Sequence, residues 1–231
     1  MSTVGSGPWP PSTATFFDET AALMLAGDPR VRLLGPVSEA PEHLDRRAAQ
    51  VSTSVWNMQT TVGLRTVCAQ LRAVRLHPTG PPDSRYVAPL TALQACPLLP
   101  SVHPNVRVRS VPGAVLITDE EHAFLAGPPG TRLAETIWAT TDPGLVTWAC
   151  QVFRTLWDTA RPASEVSTRP VLPPRRAEVA MLLADGASDL EIAQALGISA
   201  RTASAEVRQV IDWCGARSRG HAIAVIVGAD R

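Results

Sequence analysis

The segment Ser188 to Arg208 leaves this chain fewer choices than any other part of its sequence. Ser188 is a helix-capping residue, and Glu191 three positions later completes a capping box, so a helix is predicted to begin there. Ile192, Ala193 and Leu196 then give that helix one apolar face. Gly197 suits the left-handed residue that ends it, Ile198 plugs the turn, and Ser199 caps a second helix. In the second helix Ala203, Val207, Val210 and Cys214 fall at steps of four, three and four, which buries one side. Arg201, Ser204, Ala205 and Arg208 are left on the other. This is the spacing of a helix-turn-helix, whose second helix is shaped for a major groove.

The remaining numbers set bounds. With 231 residues there is room for one large domain or two small ones, and 45% hydrophobic with 18% charged residues reads as globular. All 21 basic residues are Arg, matched by 21 Asp and Glu, so no overall basic field advertises nucleic acid. The absence of Lys removes a P-loop lysine, a Schiff base, a receiver-domain lysine and the His-x-Lys phosphodiesterase pair. Cys68, Cys96, Cys150 and Cys214 are scattered without a Cys-x-x-Cys pair and read as reduced, mostly buried thiols. No metal or other cofactor is predicted. There is no basic signal-peptide start, and no apolar run approaches the roughly 20 residues of a membrane helix. The expected location is the cytoplasm.

Residues 1–28 read as a loose arm followed by a helix from Thr15 to Ala26 that ends at Gly27. From Pro29 onward strand-like and helix-like stretches alternate. Val31–Gly35 is a short apolar run, Ser38–Gln50 a charged helix, and Thr53–Met58 a strand. Thr66–Leu76 is ambiguous and His77–Ser84 is loop-like. Tyr86–Cys96 is predicted to be helical, ending before Pro97. Val106–Val111 alternates with period two, and Pro112-Gly113 and Asp119–Glu121 are turns around the strands Ala114–Thr118 and His122–Leu125. Thr136–Ala139 is another strand. Pro143–Ala160 is a long helix with Leu145, Trp148, Ala149, Val152, Phe153, Leu156 and Trp157 on one broad apolar face. The pattern predicts an α/β domain over residues 29–162.

This region resembles the effector domain of TrmB-like regulators, which shares its fold with the phospholipase D superfamily. The resemblance rests on Val106 to Leu125 and on the run Val152-Phe-Arg-Thr-Leu-Trp-Asp-Thr-Ala-Arg-Pro162. The superfamily motif has the form His-x-Lys-x4-Asp. Counting back from Asp119, its His position falls on Pro112 and its Lys position on Ala114. Without imidazole or ammonium there is neither a nucleophile nor a charge to neutralise a phosphoryl intermediate, so no catalytic residue is predicted. His77, His103 and His122 lie near loops without partners at metal or triad spacing and are read as structural. Trp56 and Trp138 could line a ligand pocket or pack in the core; core packing is the reading adopted.

Residues 163–171 read as an extended tether. From Leu172 to about Ala224 the chain resembles the LuxR-type helix-turn-helix domain without a gap. The match runs through Pro174-Arg175, Glu178-Val179, Leu182-Leu183-Ala184, Gly186, Ser188, Glu191-Ile192-Ala193, Leu196-Gly197-Ile198-Ser199 and Arg201-Thr202. Val207, Gly215, Ser218-Arg219 and Ala222 complete it. Region four of sigma factors has a similar opening. It stops soon after the recognition helix, whereas here Ser218 caps a further helix with an apolar face from Ala222 to Val227. The implied fold is an all-α four-helix domain over 172–231, following a phospholipase D-like α/β effector domain.

The LuxR resemblance implies contact roles. Ser199, Arg201 and Thr202 would meet phosphates at the helix start, Arg208 a guanine, and Ala205 would either meet a thymine methyl or serve as a small packing residue. Ser204 and Arg208 stand where the family carries lysines, and Arg217 and Arg219 would reach phosphates or form a solvated face. Two features oppose this. Glu206 stands where the family usually has His, and from Leu172 seven arginines (Arg175, Arg176, Arg201, Arg208, Arg217, Arg219, Arg231) face seven carboxylates (Glu178, Asp185, Asp189, Glu191, Glu206, Asp212, Asp230). In addition, Pro173 and Arg176 replace the family's Thr-x-x-Glu cap. The expectation is a homodimeric, cytoplasmic regulator of transcription that binds double-stranded DNA, takes an unidentified small-molecule or protein effector, and touches neither a membrane nor a substrate. RNA polymerase is a further expected partner. The competing reading is an interaction module that has lost DNA binding and acts on another regulator or on the polymerase.

Overall fold

The computed structural model describes residues 11–39, 43, 50–64, 67 and 83–229. Nine helices and eight strands are named below among these. The helices are α1 (Pro11–Ala26), α2 (Leu90–Ala95), α3 (Leu99–Val102), α4 (Pro143–Thr159), α5 (Ala163–Val166), α6 (Pro174–Ala184), α7 (Asp189–Leu196), α8 (Ala200–Cys214) and α9 (Arg219–Ile226). The strands are β1 (Arg32–Pro36), β2 (Ser54–Met58), β3 (Asp83–Ala88), β4 (Val106–Val108), β5 (Val115–Thr118), β6 (His122–Ala126), β7 (Thr136–Thr140) and β8 (Arg161–Pro162).

The strands form one mixed sheet in the order β1-β7-β6-β5-β2-β3-β4-β8. The pairs β2/β3 and β3/β4 are parallel, and the others are antiparallel. Alternation along the strands sends Trp56, Met58, Val87, Ile117, Leu125 and Trp138 to one face, where α1 and α4 cover them. Helix α4 starts where the Asp142 carboxylate accepts the Leu145 N–H at 2.9 Å, with Pro143 in the first turn. It buries Leu145, Val146, Ala149, Val152, Phe153 and Leu156. Each large side chain so removed from water contributes roughly 1.5–3 kcal/mol. Trp56, 2% exposed, stacks on Phe153 at 5.4 Å, and its Nε1 donates to Asp83. Trp138 is also buried in this core, with Nε1 donating to Thr136 Oγ1. Both tryptophans are core residues. At the far end of α4, Arg107 and Arg109 of β4 and the loop after it donate to the carbonyls of Trp157 and Thr159. These cations answer the negative end of the helix dipole, although the helix has no basic residue in its own last turn.

The β5–β6 turn explains the place of Asp119. Thr118 O accepts from Glu121 N, and Asp119 and Glu120 between them both have positive φ, as a type I′ turn requires. Asp119 reaches across to the start of β2. Its Oδ1 accepts from the Thr53 N–H and Oγ1 at 2.8 Å each, the Ser52 N–H at 3.1 Å and the Ser54 N–H at 3.2 Å. Burial opposes its charge, but the bonds from Thr53, Ser54 and Ser52 outweigh that and hold its pKa at about 2.

Other expectations met a different outcome. Tyr86–Cys96 is not one helix: Asp83–Ala88 is a parallel strand, Pro89 breaks the run, and the helix begins at Leu90. A short apolar run buried in a sheet interior has no period that separates it from a buried helix. The strand predicted over Val106–Val111 ends at Val108. The predicted helix Ser38–Gln50 lies largely outside the described residues, as do His77, Cys68 and the Thr66–Leu76 stretch, except Val67. Cys96, Cys150 and Cys214 are buried, in agreement with their reading as core thiols. Among the described residues no helix is long and apolar enough to cross a membrane.

On the other face of the sheet Tyr86, Ala88, Val106 and Val108 pack with α2 and α3, and this core runs on without a break into the C-terminal helices. Residues 163–171 are not an extended tether throughout. Arg161–Pro162 pairs with β4, α5 adds one helical turn with Ala163 buried, and Leu172 donates its N–H to Ser101 Oγ at 2.9 Å. Trp213 Nε1 donates to Pro170 O at 2.7 Å.

Candidate nucleic-acid interface

Four helices after Leu172 build the second unit. Helix α7 starts with the predicted capping box: Glu191 N–H donates to Ser188 Oγ, and the Glu191 carboxylate accepts the Ser188 N–H at 2.7 Å. Gly197 ends α7 at φ 63° and ψ 36°, a conformation in which a β-carbon would be strained. The turn is therefore only Gly197, Ile198 and Ser199, with Ser199 Oγ accepting the Thr202 N–H at 3.1 Å to start α8. Ala203, Val207, Val210 and Cys214 are buried, in agreement with the step pattern of the sequence.

The predicted contact residues fall into two groups. Arg201, Ala205 and Arg208 are exposed along the outer side of α8, one or two helical turns apart. No hydrogen bond or ion pair to another described residue engages either guanidinium. Ser204 lies on the same side but is committed: its Oγ donates to Asp189 Oδ2 at 2.6 Å. Ser199 and Thr202 sit at the helix start with their hydroxyls 2.8 Å apart. Arg217 is exposed beyond α8, its N–H donating to His221 Nδ1. Arg219 differs from its predicted role. It donates to Asp189 Oδ1 at 2.7 Å and to the Ala187 carbonyl, so it clamps the start of α9 to the start of α7.

Asp189 is the residue that sequence reasoning missed. Hydrogen bonds from Ser204 first and Arg219 second, with the Arg219 charge, hold its carboxyl below the usual range. Its partners lie 15 and 30 positions away, beyond any local pattern. Glu206 is the other revision. Its carboxylate does not lie on the outer side of α8: it accepts from Arg176 Nε at 2.8 Å, and the two side chains are 20% and 31% exposed. The residue that departs from the expected cap of α6 is thus the one that pairs with the unexpected acid of α8.

The family model of a homeodomain-like domain matches residues 172–210. No curated protein matches the chain. Among solved structures the chain is similar to TrmBL2, an archaeal chromatin protein, at 16% identity over 64% of this chain and 63% of that one, with a TM-score of 0.43. The chain thus spans just under two thirds of that relative's length. It is similar to NucT from Helicobacter pylori at 15% identity, over 57% of this chain and 96% of that one, with a TM-score of 0.43. A third similarity is to VqmA from Vibrio cholera, solved with ligand and DNA, at 19% identity over 50% and 47% of the two chains, with a TM-score of 0.25. The match to the homeodomain-like model covers α6, α7 and most of α8, the helix-turn-helix that follows the α/β sheet region.

Proposed function

We propose that the protein is a sequence-specific DNA-binding regulator of transcription, with a LuxR-type domain whose helix α8 enters the major groove. One observation carries the reading: α8 turns Arg201, Ala205 and Arg208 outward, while Glu206, the carboxylate between Ala205 and Arg208, is drawn back onto Arg176 and Asp212 stands one turn beyond Arg208. Arg208 reads a base edge, Arg201 and the capped helix start meet phosphates, and Ser204 and Arg219 hold the motif in shape through Asp189. The protein acts as a homodimer on an inverted repeat with half-sites about one helical turn apart, in the cytoplasm.

The α/β domain is a phospholipase D-like scaffold without the chemistry. Pro112 and Ala114 stand at the motif's reactive positions, and the remaining carboxylate, Asp119, is spent on the backbone leading into β2. The protein is accordingly not an enzyme, and this domain serves as effector and assembly unit.

Binding of the purified protein to DNA upstream of its own gene, titrated with salt, tests the reading. Arg208→Ala should weaken specific binding by roughly 1–3 kcal/mol and relax discrimination at one base pair. Binding that stays at the nonspecific level at low salt would instead favour the interaction module, the reading to which the equal charge count from Leu172 points.

A further inference from the structure

The β1–β7–β6 corner of the sheet holds an open cleft of about 470 Å³ on the face turned away from α1 and α4. Alternation puts it there. Along β6, Ala123 and Leu125 point to the α4 core, and His122 and Phe124 point the other way. Phe124 is 8% exposed yet belongs to neither apolar core of the molecule. Together with its cross-strand partner Ala139 and with Leu34 it makes an apolar floor.

The rim is polar, and among the described residues no Asp or Glu lines the cleft. Two of its groups are guanidinium ions, and they differ. Arg30 is held by Asp28 through two bonds of 2.9 and 3.0 Å, so its charge is already answered, and Thr140 Oγ1 donates to its carbonyl at 2.7 Å to fix that wall. Arg32 has no carboxylate against it among the described residues, and its side chain is exposed at the cleft mouth. A fixed aromatic floor beneath a cation that no described carboxylate answers, in a volume inside the usual range for small-ligand sites, selects for an anion with an apolar body.

We propose that this cleft is a ligand site of the α/β domain, and that its ligand is a small organic carboxylate with an aromatic or branched apolar body. The carboxylate pairs with Arg32, and the body lies on Phe124 and Ala139. Such a ligand supplies the effector class for the regulator described above. Its binding is nevertheless measured without DNA, so failure here and failure of DNA recognition are separate results.

The test is titration of the full chain with benzoate, followed by amide chemical shifts, beside benzamide and inorganic phosphate. Benzoate should saturate, with the largest shifts on β1, β6 and β7. Arg32→Gln, a change at an exposed position, should leave the thermal midpoint in place and weaken benzoate about tenfold or more. Ala139→Leu, which fills the floor, should weaken it comparably. Benzamide and phosphate should each bind at least about tenfold more weakly than benzoate. The proposal is overturned if benzoate fails to saturate at about 10 mM, or if it binds Arg32→Gln or Ala139→Leu as it binds the natural chain. Phosphate binding as tightly as benzoate also overturns it, since charge alone would then be recognised.

Discussion

The contact between Arg176 and Glu206 makes the sharpest prediction. At about 4 Å between charge centres and an effective dielectric near 20, the gross attraction is about 4 kcal/mol. Desolvation and side-chain ordering offset most of it. For side chains 31% and 20% exposed, a net coupling of about 1–1.5 kcal/mol remains. Arg176→Ala should therefore lower the unfolding free energy measured in urea by about that amount. Glu206→Gln in the Arg176→Ala background should restore much of it, because the buried charge is then gone. The second readout is affinity for DNA. Releasing Glu206 on α8 adds one uncompensated negative charge within about 10 Å of the phosphates, which should cost several-fold in affinity at about 0.1 M salt. The double variant should recover that loss. A double-mutant cycle on stability with a coupling below about 0.3 kcal/mol would refute the reasoning, whatever happens to DNA binding.

Three further outcomes follow from the hydrogen-bond pattern. Arg219→Ala should destabilise the chain by about 1–2 kcal/mol in denaturant unfolding, by freeing Asp189 and the Ala187 carbonyl, whereas Arg217→Ala should stay within about 0.5 kcal/mol. Asp119→Asn should cost about 1–2 kcal/mol at neutral pH. Because the folded pKa of Asp119 is depressed to about 2, the stability it supplies is present above the ordinary value of 3.8 and lost as pH falls towards 2, and that loss should vanish in the variant. His103 packs against Tyr86 at 4.7 Å, and burial lowers its pKa from 6.5 to about 4. Folding favours its neutral form, so stability is full above pH 6.5 and drains, by no more than about 3 kcal/mol, as pH falls to about 4. In thermal melts across that window His103→Gln should flatten the slope.

Local signals carried the C-terminal unit. A capping box, a glycine at the helix end and a four-three-four step of buried residues are each settled within one or two turns of chain, and all appear in α7 and α8 as read. The long helix α4 was equally legible, because a broad apolar stripe sustained for 17 residues has one interpretation. What the sequence left open was partnership. Period says that Glu206 lies off the buried side of α8, but Arg176 is 30 positions away, and nothing local pairs them. Arg219 reads as either a phosphate contact or a solvated residue for the same reason, since its partner Asp189 lies 30 positions away. The Tyr86–Ala88 run misled because a strand covered on both faces shows no alternation, and Pro89 was the one sign of the break. The stretch from Pro162 to Val171 looked like a tether because Pro, Ser and Thr suit a tether. Its anchors, Ser101 and Trp213, belong to other elements.

Those anchors decide whether the chain can be divided. Gly228, just past α9, packs so closely that a β-carbon there would stand 2.2 Å from the Ala95 carbonyl oxygen at the end of α2. Leu172 is tied to Ser101, and α6 packs against α3 in one unbroken core. Cutting before Leu172 would therefore produce two fragments with freshly wetted apolar surfaces, neither of which inherits the stability of the whole. A shift within the sheet region is likewise a shift of the footing on which α8 stands.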